Sequence, residues 1–371
     1  MTKKFWATAF TLTGTIIGAG ILGLPYVFAK SGFFIGLFWL ILLGFLILVV
    51  NLYIGEIGLR TPGTKHQLTG YAERYLGKAG SRIMFFAMAF GIYSALLAYL
   101  IGEGQSLSLL LTGGIKYAIF FGIGFWFMMA MLLRSGLKGL KKVETWGVIT
   151  IIFLVVLIFL WYVPDINYEN LTQVNVPNIF LPMGVILFAL LGFTSIPELR
   201  MEIKGQEKSY KKAIILGLLV PIILYIIFSF TFIGILGSNV PEVATISLGK
   251  FVVILGIFTM LTSYFVLSFS FRDIFKYDFK SSKFTTFFWT CAFPLLLYLI
   301  VSYFDLLDFV QVLGIGGVIS GGLTGILILI INKRAKKLGK RNPEFSIPIN
   351  WFIIILISLV FVLGILAEFF L

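Results

Sequence analysis

Residues 11–26 read TLTGTIIGAGILGLPY, an apolar run that carries Gly14, Gly18, Gly20 and Gly23 and closes on Pro25 and Tyr26. With its flanks, from 5 to 29, the run is long enough to cross a bilayer, yet its residues invite an interruption. Glycine loosens a helix, and proline removes a backbone donor while crowding the preceding turn. Backbone that leaves the helix at membrane depth persists only where it is buried in protein or lines a wet cavity. A plain anchor has no use for such a break, so the reading turns on whether a second one exists.

Residues 186–199 supply it. They read ILFALLGFTSIPEL, with Gly192, Thr194 and Ser195 ahead of Pro197. Around these two stretches, apolar runs give eleven candidate spans: 5–29, 33–59, 83–111, 116–133, 146–163, 179–197, 213–237, 249–271, 284–302, 308–331 and 349–370. Apolar residues make up 59% of the 371 and charged ones only 12%, where a soluble domain carries about a quarter. A soluble fold is excluded on that ground. Only Lys3 and Lys4 precede the first span, and no small-residue cleavage site leads from it into a soluble domain, so it is expected to be a retained helix.

The broken spans are the first and the sixth. An odd number of crossings per group of five makes the second group enter from the opposite face. The expected fold is therefore an all-α polytopic membrane protein with a 5+5 inverted repeat, discontinuous helices 1 and 6, and one extra C-terminal helix. Residues 1–163 form the first repeat, 164–332 the second, and 333–371 a basic inner loop with the eleventh span.

The net charge of +13 is a matter of topology rather than of nucleic acid. With the N-terminus in the cytoplasm, every Lys and Arg of the 29 except Lys30, Lys116 and Lys250 falls in an inner segment. The expected location is a cell membrane, with the C-terminus outside and a monomer or weak oligomer as the assembly. In the inner segment 60–82, residues 71–77 have the pattern of a short amphipathic helix at the interface. The single cysteine, Cys291, forbids an internal disulfide, and the single histidine, His66, forbids a multi-histidine metal site. No nucleophile–base pair or acid cluster stands at membrane depth, so the chain is not read as an enzyme and no cofactor is expected.

Two half-helix ends suit a ligand that bears both a carboxylate and an ammonium. Free amides at a half-helix N-terminus meet the carboxylate, and Gly18, Ala19 and Gly20 would supply them, with Thr15 beside them. Freed carbonyls around Leu190, Leu191 and Thr194 would take the ammonium, and Phe193 would lie over the side chain.

These residues also carry a resemblance. TGTIIGAGILGLPY resembles the span-1 signature of the amino acid–polyamine–organocation superfamily, most closely its amino acid/auxin and hydroxy/aromatic amino acid permease branches. YIGEIGLRTPGTKHQLTGYAERYLG, residues 53–77, is similar to the end of span 2 and the loop after it in those permeases, whereas GFTSIPELRMEIKG picks no branch. The resemblance implies a LeuT-like fold, with a neutral amino acid held at the breaks and flanked by spans 3, 8 and 10. Tyr93, Ser94 and Tyr99 then become candidate walls, and Gly314, Gly316 and Gly317 a place where a gate helix approaches closely.

Residues 258–265, FTMLTSYF, set Thr259, Thr262 and Ser263 within about a turn and a half of helix. Their spacing is similar to the span-8 half of a sodium site of LeuT type, which the carbonyls of Gly14 and Ile17 would complete. Span 5 contains no Lys or Arg, which some relatives use in place of that sodium, and Ile21 stands where a second sodium would need an amide. Sodium-coupled symport is thus expected. Proton coupling or exchange through Glu103 or Glu56 is the alternative, since acids within spans are functional suspects. A non-transporting amino-acid sensor on the same fold is the reading from another class. A channel would need a selectivity ring, which the asymmetric breaks do not suggest.

Overall fold

The computed structural model describes residues 2–63, 67–135, 140–278 and 280–370. Lys65, His66 and Lys138, which entered the reading of charge and histidine chemistry, lie outside them. The described residues form helices and connecting turns, with no strand among them.

The chain begins with α1 (Lys3–Ile16) and α2 (Gly20–Ser31), followed by α3 (Phe33–Arg60) and α4 (Leu68–Thr112). Next come α5 (Ala118–Ser135), α6 (Leu140–Tyr162), the short α7 (Pro182–Ala189) and α8 (Ile196–Glu202), and α9 (Tyr210–Leu236). The remainder is α10 (Lys250–Asp273), α11 (Lys283–Phe287), α12 (Phe293–Tyr303), α13 (Phe309–Gly316), α14 (Gly322–Leu338) and α15 (Trp351–Phe370). π-helical turns at Phe288–Ala292 and Gly317–Gly321 join α11 to α12 and α13 to α14 into continuous rods.

Among the described residues, eight helical rods are long and apolar enough to cross a membrane, and the pair α1–α2, bent by 58°, makes a ninth. Two of the eleven candidates are apolar helices shorter than these rods, Ala118–Arg134 for span 4 and Val176–Ala189 for span 6. The second break itself truncates the latter. The segment 71–77 is helical as expected, but it belongs to α4, which turns sharply at Gly77 where φ is +78°. Only glycine adopts that conformation without strain.

The outer surface is apolar in a pattern that water would not tolerate. Phe34, Phe38, Ile41 and Phe45 recur along one face of α3, each more than half exposed, and Phe352, Ile355 and Leu359 do the same on α15. Stripes of this size are lipid-facing surface. Inside, α9 packs on α1, α2 and α3; α4 packs on α5, α10, α13 and α14; and α7 is held between α2 and α13. The protein is a multi-pass membrane bundle whose two interrupted rods lie at its centre.

Each face of the bundle is tied. On the face where α1 begins, the Glu56 carboxylate, 0% exposed, accepts from Arg60 Nε at 2.8 Å, Lys336 Nζ at 2.7 Å, Ser346 Oγ at 2.8 Å and the Ile347 amide at 3.0 Å. Those bonds lay the segment 339–350 along the end of α3. On the opposite face the Asn175 amide donates to the Ser31 carbonyl at 2.9 Å, and the Phe309 amide to Glu242 Oε2 at 3.1 Å.

Candidate functional site

The first rod comes apart where its glycines lie. The backbone ladder of α1 closes with the Ile17 amide on the Thr13 carbonyl, 3.0 Å, and bonding resumes with the Leu22 amide on Ala19, also 3.0 Å. Helix α2 starts without a side-chain cap, so no side chain occupies the amides of its first turn. The carbonyls of Gly14, near the end of α1, and of Ile17, just beyond it, are likewise left without backbone donors. The Thr15 hydroxyl donates to the Thr11 carbonyl at 2.9 Å.

The second rod opens at Leu190. Helix α7 ends at Ala189, and residues 190–195 run as turns closed by the Ser195 hydroxyl on the Gly192 carbonyl, 2.9 Å. Leu190 and Phe193 are buried, while Leu191 and Thr194 keep part of their surface open. Pro197 sits in the first turn of α8, where the missing amide proton has no partner to lose.

The two breaks touch. A Cβ on Gly20 would collide with the Cα and Cβ of Ala189, so the start of α2 lies directly on the end of α7. Gly192 faces the Ile16 side chain in the same way. Behind this junction stands Tyr225 of α9, fully buried, with its hydroxyl 3.0 Å from the Ile16 carbonyl and 2.7 Å from the Ala189 carbonyl.

Helix α4 supplies the wall through Tyr99. Its hydroxyl lies beside Ser263 and Ala19, and a Cβ on Gly18 would come 2.6 Å from it. Tyr93 goes elsewhere: its ring packs between Phe271 and Phe293, and its hydroxyl donates to the Trp289 carbonyl at 3.0 Å. Ser94 faces Gly316, and Gly317 lies against the Gly184 carbonyl and the Phe188 amide, so span 10 meets α7 at backbone distance. Gly314 lies against the carboxylate of Glu368 on α15.

On α10, Ser263 reaches the break beside Gly18. The Thr259 hydroxyl donates to the Leu255 carbonyl at 2.8 Å, and the Thr262 hydroxyl to Phe258 at 3.0 Å and Thr259 at 3.1 Å. A hydroxyl that ligates a cation must send its own proton elsewhere, which these bonds do. The two suspect acids differ sharply. Glu56 is satisfied four times over, as described above. Glu103 is 0% exposed, and neither of its oxygens has a partner among the described residues. It stands one turn along α4 from Tyr99, on the same face.

Sequence reasoning missed Tyr225, Ile16 and Ala189. A signal existed for the first, because Tyr225 is the sole tyrosine between Tyr210 and Tyr264 and follows Pro221 by one turn. Nothing in the sequence tells that its hydroxyl meets two helix ends at once.

The family model of the tryptophan/tyrosine permeases matches residues 1–245. The chain is similar to tyrosine-specific transport system 1 of Haemophilus influenzae, 26% identical over 249 residues that cover 64% of this chain and 59% of that one. It is similar also to glutamine transporter 2 of Aliivibrio fischeri, 24% identical over 64% of this chain and 63% of the relative. The low affinity tryptophan permease of Escherichia coli is 23% identical over 65% and 59% respectively. The matches span about three-fifths of these relatives' own lengths. All are transport proteins rather than enzymes. The matched region holds both breaks, Tyr99, Glu103 and Tyr225, and by that match the chain belongs to the tryptophan/tyrosine permease family.

Proposed function

We propose that this protein is a secondary active transporter of neutral L-amino acids that works by alternating access on a LeuT-like 5+5 inverted repeat, within the amino acid–polyamine–organocation superfamily. The observation that carries this reading is the contact of two half-helix breaks, Gly20 on Ala189, at the centre of the bundle. The substrate carboxylate meets the amides at the start of α2, and the ammonium meets carbonyls at the end of α7 and through Leu190, Leu191 and Thr194. Phe193 and Tyr99 wall the side-chain space. No charged residue stands at either break, which favours a neutral side chain, and the relatives' names, for tyrosine, tryptophan and glutamine, are in keeping with one.

Sodium is the coupling ion on this reading, held by the carbonyls of Gly14 and Ile17 and by Thr259, Thr262 and Ser263. The proximity of Ser263 to Gly18 supports it. A second reading, proton coupling, is favoured by the unpartnered carboxyl of Glu103.

Uptake of labelled tyrosine, tryptophan and glutamine into proteoliposomes, with inward sodium compared against potassium at equal pH and clamped voltage, tests both. Sodium-driven accumulation that Thr262→Ala removes and Glu103→Gln spares is the expected result. Accumulation driven by a proton gradient, indifferent to sodium and lost in Glu103→Gln, transfers the coupling to Glu103. No uptake under either gradient sinks the transporter reading in favour of a sensor.

A further inference from the structure

Tyr225 has one hydroxyl proton and two carbonyl acceptors within bonding distance, Ala189 at 2.7 Å and Ile16 at 3.0 Å. The acceptors are the last residues of α7 and α1. Both helices end at the same point, so two partial negative charges face each other in an interior that screens poorly. A donor between them offsets that repulsion. The tyrosine is well placed to hold a fixed distance: it is 0% exposed, and α9 packs along α1, α2 and α3.

We propose that Tyr225 is a positioning residue for the substrate's α-ammonium, its hydroxyl tying the carbonyl ends of α1 and α7 at the spacing that an ammonium bridges. This rests on the reading that the amino group meets the end of α7. Each carbonyl has two lone pairs, so accepting from Tyr225 leaves one free for the ligand. An ammonium carries three donors in fixed directions and needs its acceptors at a set separation. Without the tie the two ends are free to part, and the loss falls on the amino group. The carboxylate and the side chain contact other residues and do not register it.

The test compares ligands with and without the amine. L-tyrosine is paired with 3-(4-hydroxyphenyl)propanoate, and L-tryptophan with indole-3-propanoate, in equilibrium binding to the purified full chain. In Tyr225→Phe, which keeps the ring, the amino acids are expected to bind about tenfold more weakly, the worth of one buried hydrogen bond. The deaminated acids are expected to bind within about twofold of their wild-type strength, which also certifies that the variant is folded. Replacing Tyr225 by 4-aminophenylalanine, which restores a donor of similar reach, is expected to return most of the loss, and gives a second variant should the first be poorly recovered. Equal weakening of both members of each pair, or no weakening of either, overturns the tie. A wild-type protein that binds neither amino acid, or does not prefer it to its deaminated partner, overturns the amine site beneath the proposal and the proposal with it.

Discussion

Gly20 is the residue on which the proposed site depends most directly. A Cβ there has nowhere to go, because the atoms it meets are the backbone and Cβ of Ala189 rather than the far end of a flexible chain. Gly20→Leu is expected to force α2 and α7 apart and to weaken amino-acid binding by at least about tenfold, with insertion and the size-exclusion profile unchanged. Wild-type affinity in that variant would defeat the span-1 site. Gly18 and Gly20 drew notice in the sequence because they cluster ahead of a proline inside an apolar run, and the structure places them where the first rod parts. The choice between Tyr93 and Tyr99 was not. Six residues apart, they point roughly 120° away from one another around α4, and helical period says nothing about which neighbours each will meet. Tyr99 found the break, and Tyr93 found Phe271 and Phe293. The hydroxyls of Thr259 and Thr262 illustrate a different limit, since bonding to their own helix leaves their lone pairs as available to a cation as the spacing implied.

At the scale of the element, the two prolines that flagged the breaks act differently. Pro197 opens α8, whereas Pro25 lies inside α2, which continues to Ser31. The first rod therefore parts at 17–19, a turn and more ahead of its proline, where the glycines cluster. Another element-level feature, invisible in the sequence, is the docking of the loop between α9 and α10 onto α13. Asp308 caps α13 through a bond to the Gln311 amide at 2.7 Å, and Glu242 accepts from the neighbouring Phe309 amide at 3.1 Å. Burial, and then the Asp308 carboxylate beside it, push Glu242 up to about 7. Because that value lies above the ordinary carboxylate range, the protonated acid is the form that packs there. The docking is strongest at low pH and weakens as pH rises through about 7. Amide exchange at Phe309 and in residues 243–249, corrected for intrinsic rate, should therefore quicken between pH 6 and pH 8, and Glu242→Gln should abolish the difference. Exchange that is independent of pH in the wild type would refute the assignment.

Across the whole molecule, sequence hydropathy located every rod among the described residues, but it does not reveal where a helix stops, and two of the eleven candidates are short apolar helices. Span 6 is cut by its own break, and span 4 is short. Charge, by contrast, reads through to the assembled bundle. Lys4 Nζ donates to the Lys204 carbonyl at 2.8 Å, Arg200 to Gly63 at 2.8 Å and Arg341 to Leu59 at 2.8 Å, so the N-terminus and the basic segments near 60, 200 and 340 are gathered on one face. The acidic segment 163–178 is fastened to the other, at Lys30 and Ser31. A fold built from charge-blind packing had no need to collect the cations so, and that is the face the positive-inside rule predicts to be cytoplasmic. The lone Cys291 makes the assignment easy to check, since Cys291→Ser gives a background free of thiols. In intact cells a membrane-impermeant maleimide should label Glu169→Cys and leave Lys340→Cys untouched until the cells are opened, both positions being exposed. The reverse pattern would place the N-terminus outside and turn the whole molecule over. Labelling of both from one side would contradict the bundle itself, because the two positions would then have to share a face that the bonds among Lys30, Ser31 and residues 175–178 deny them.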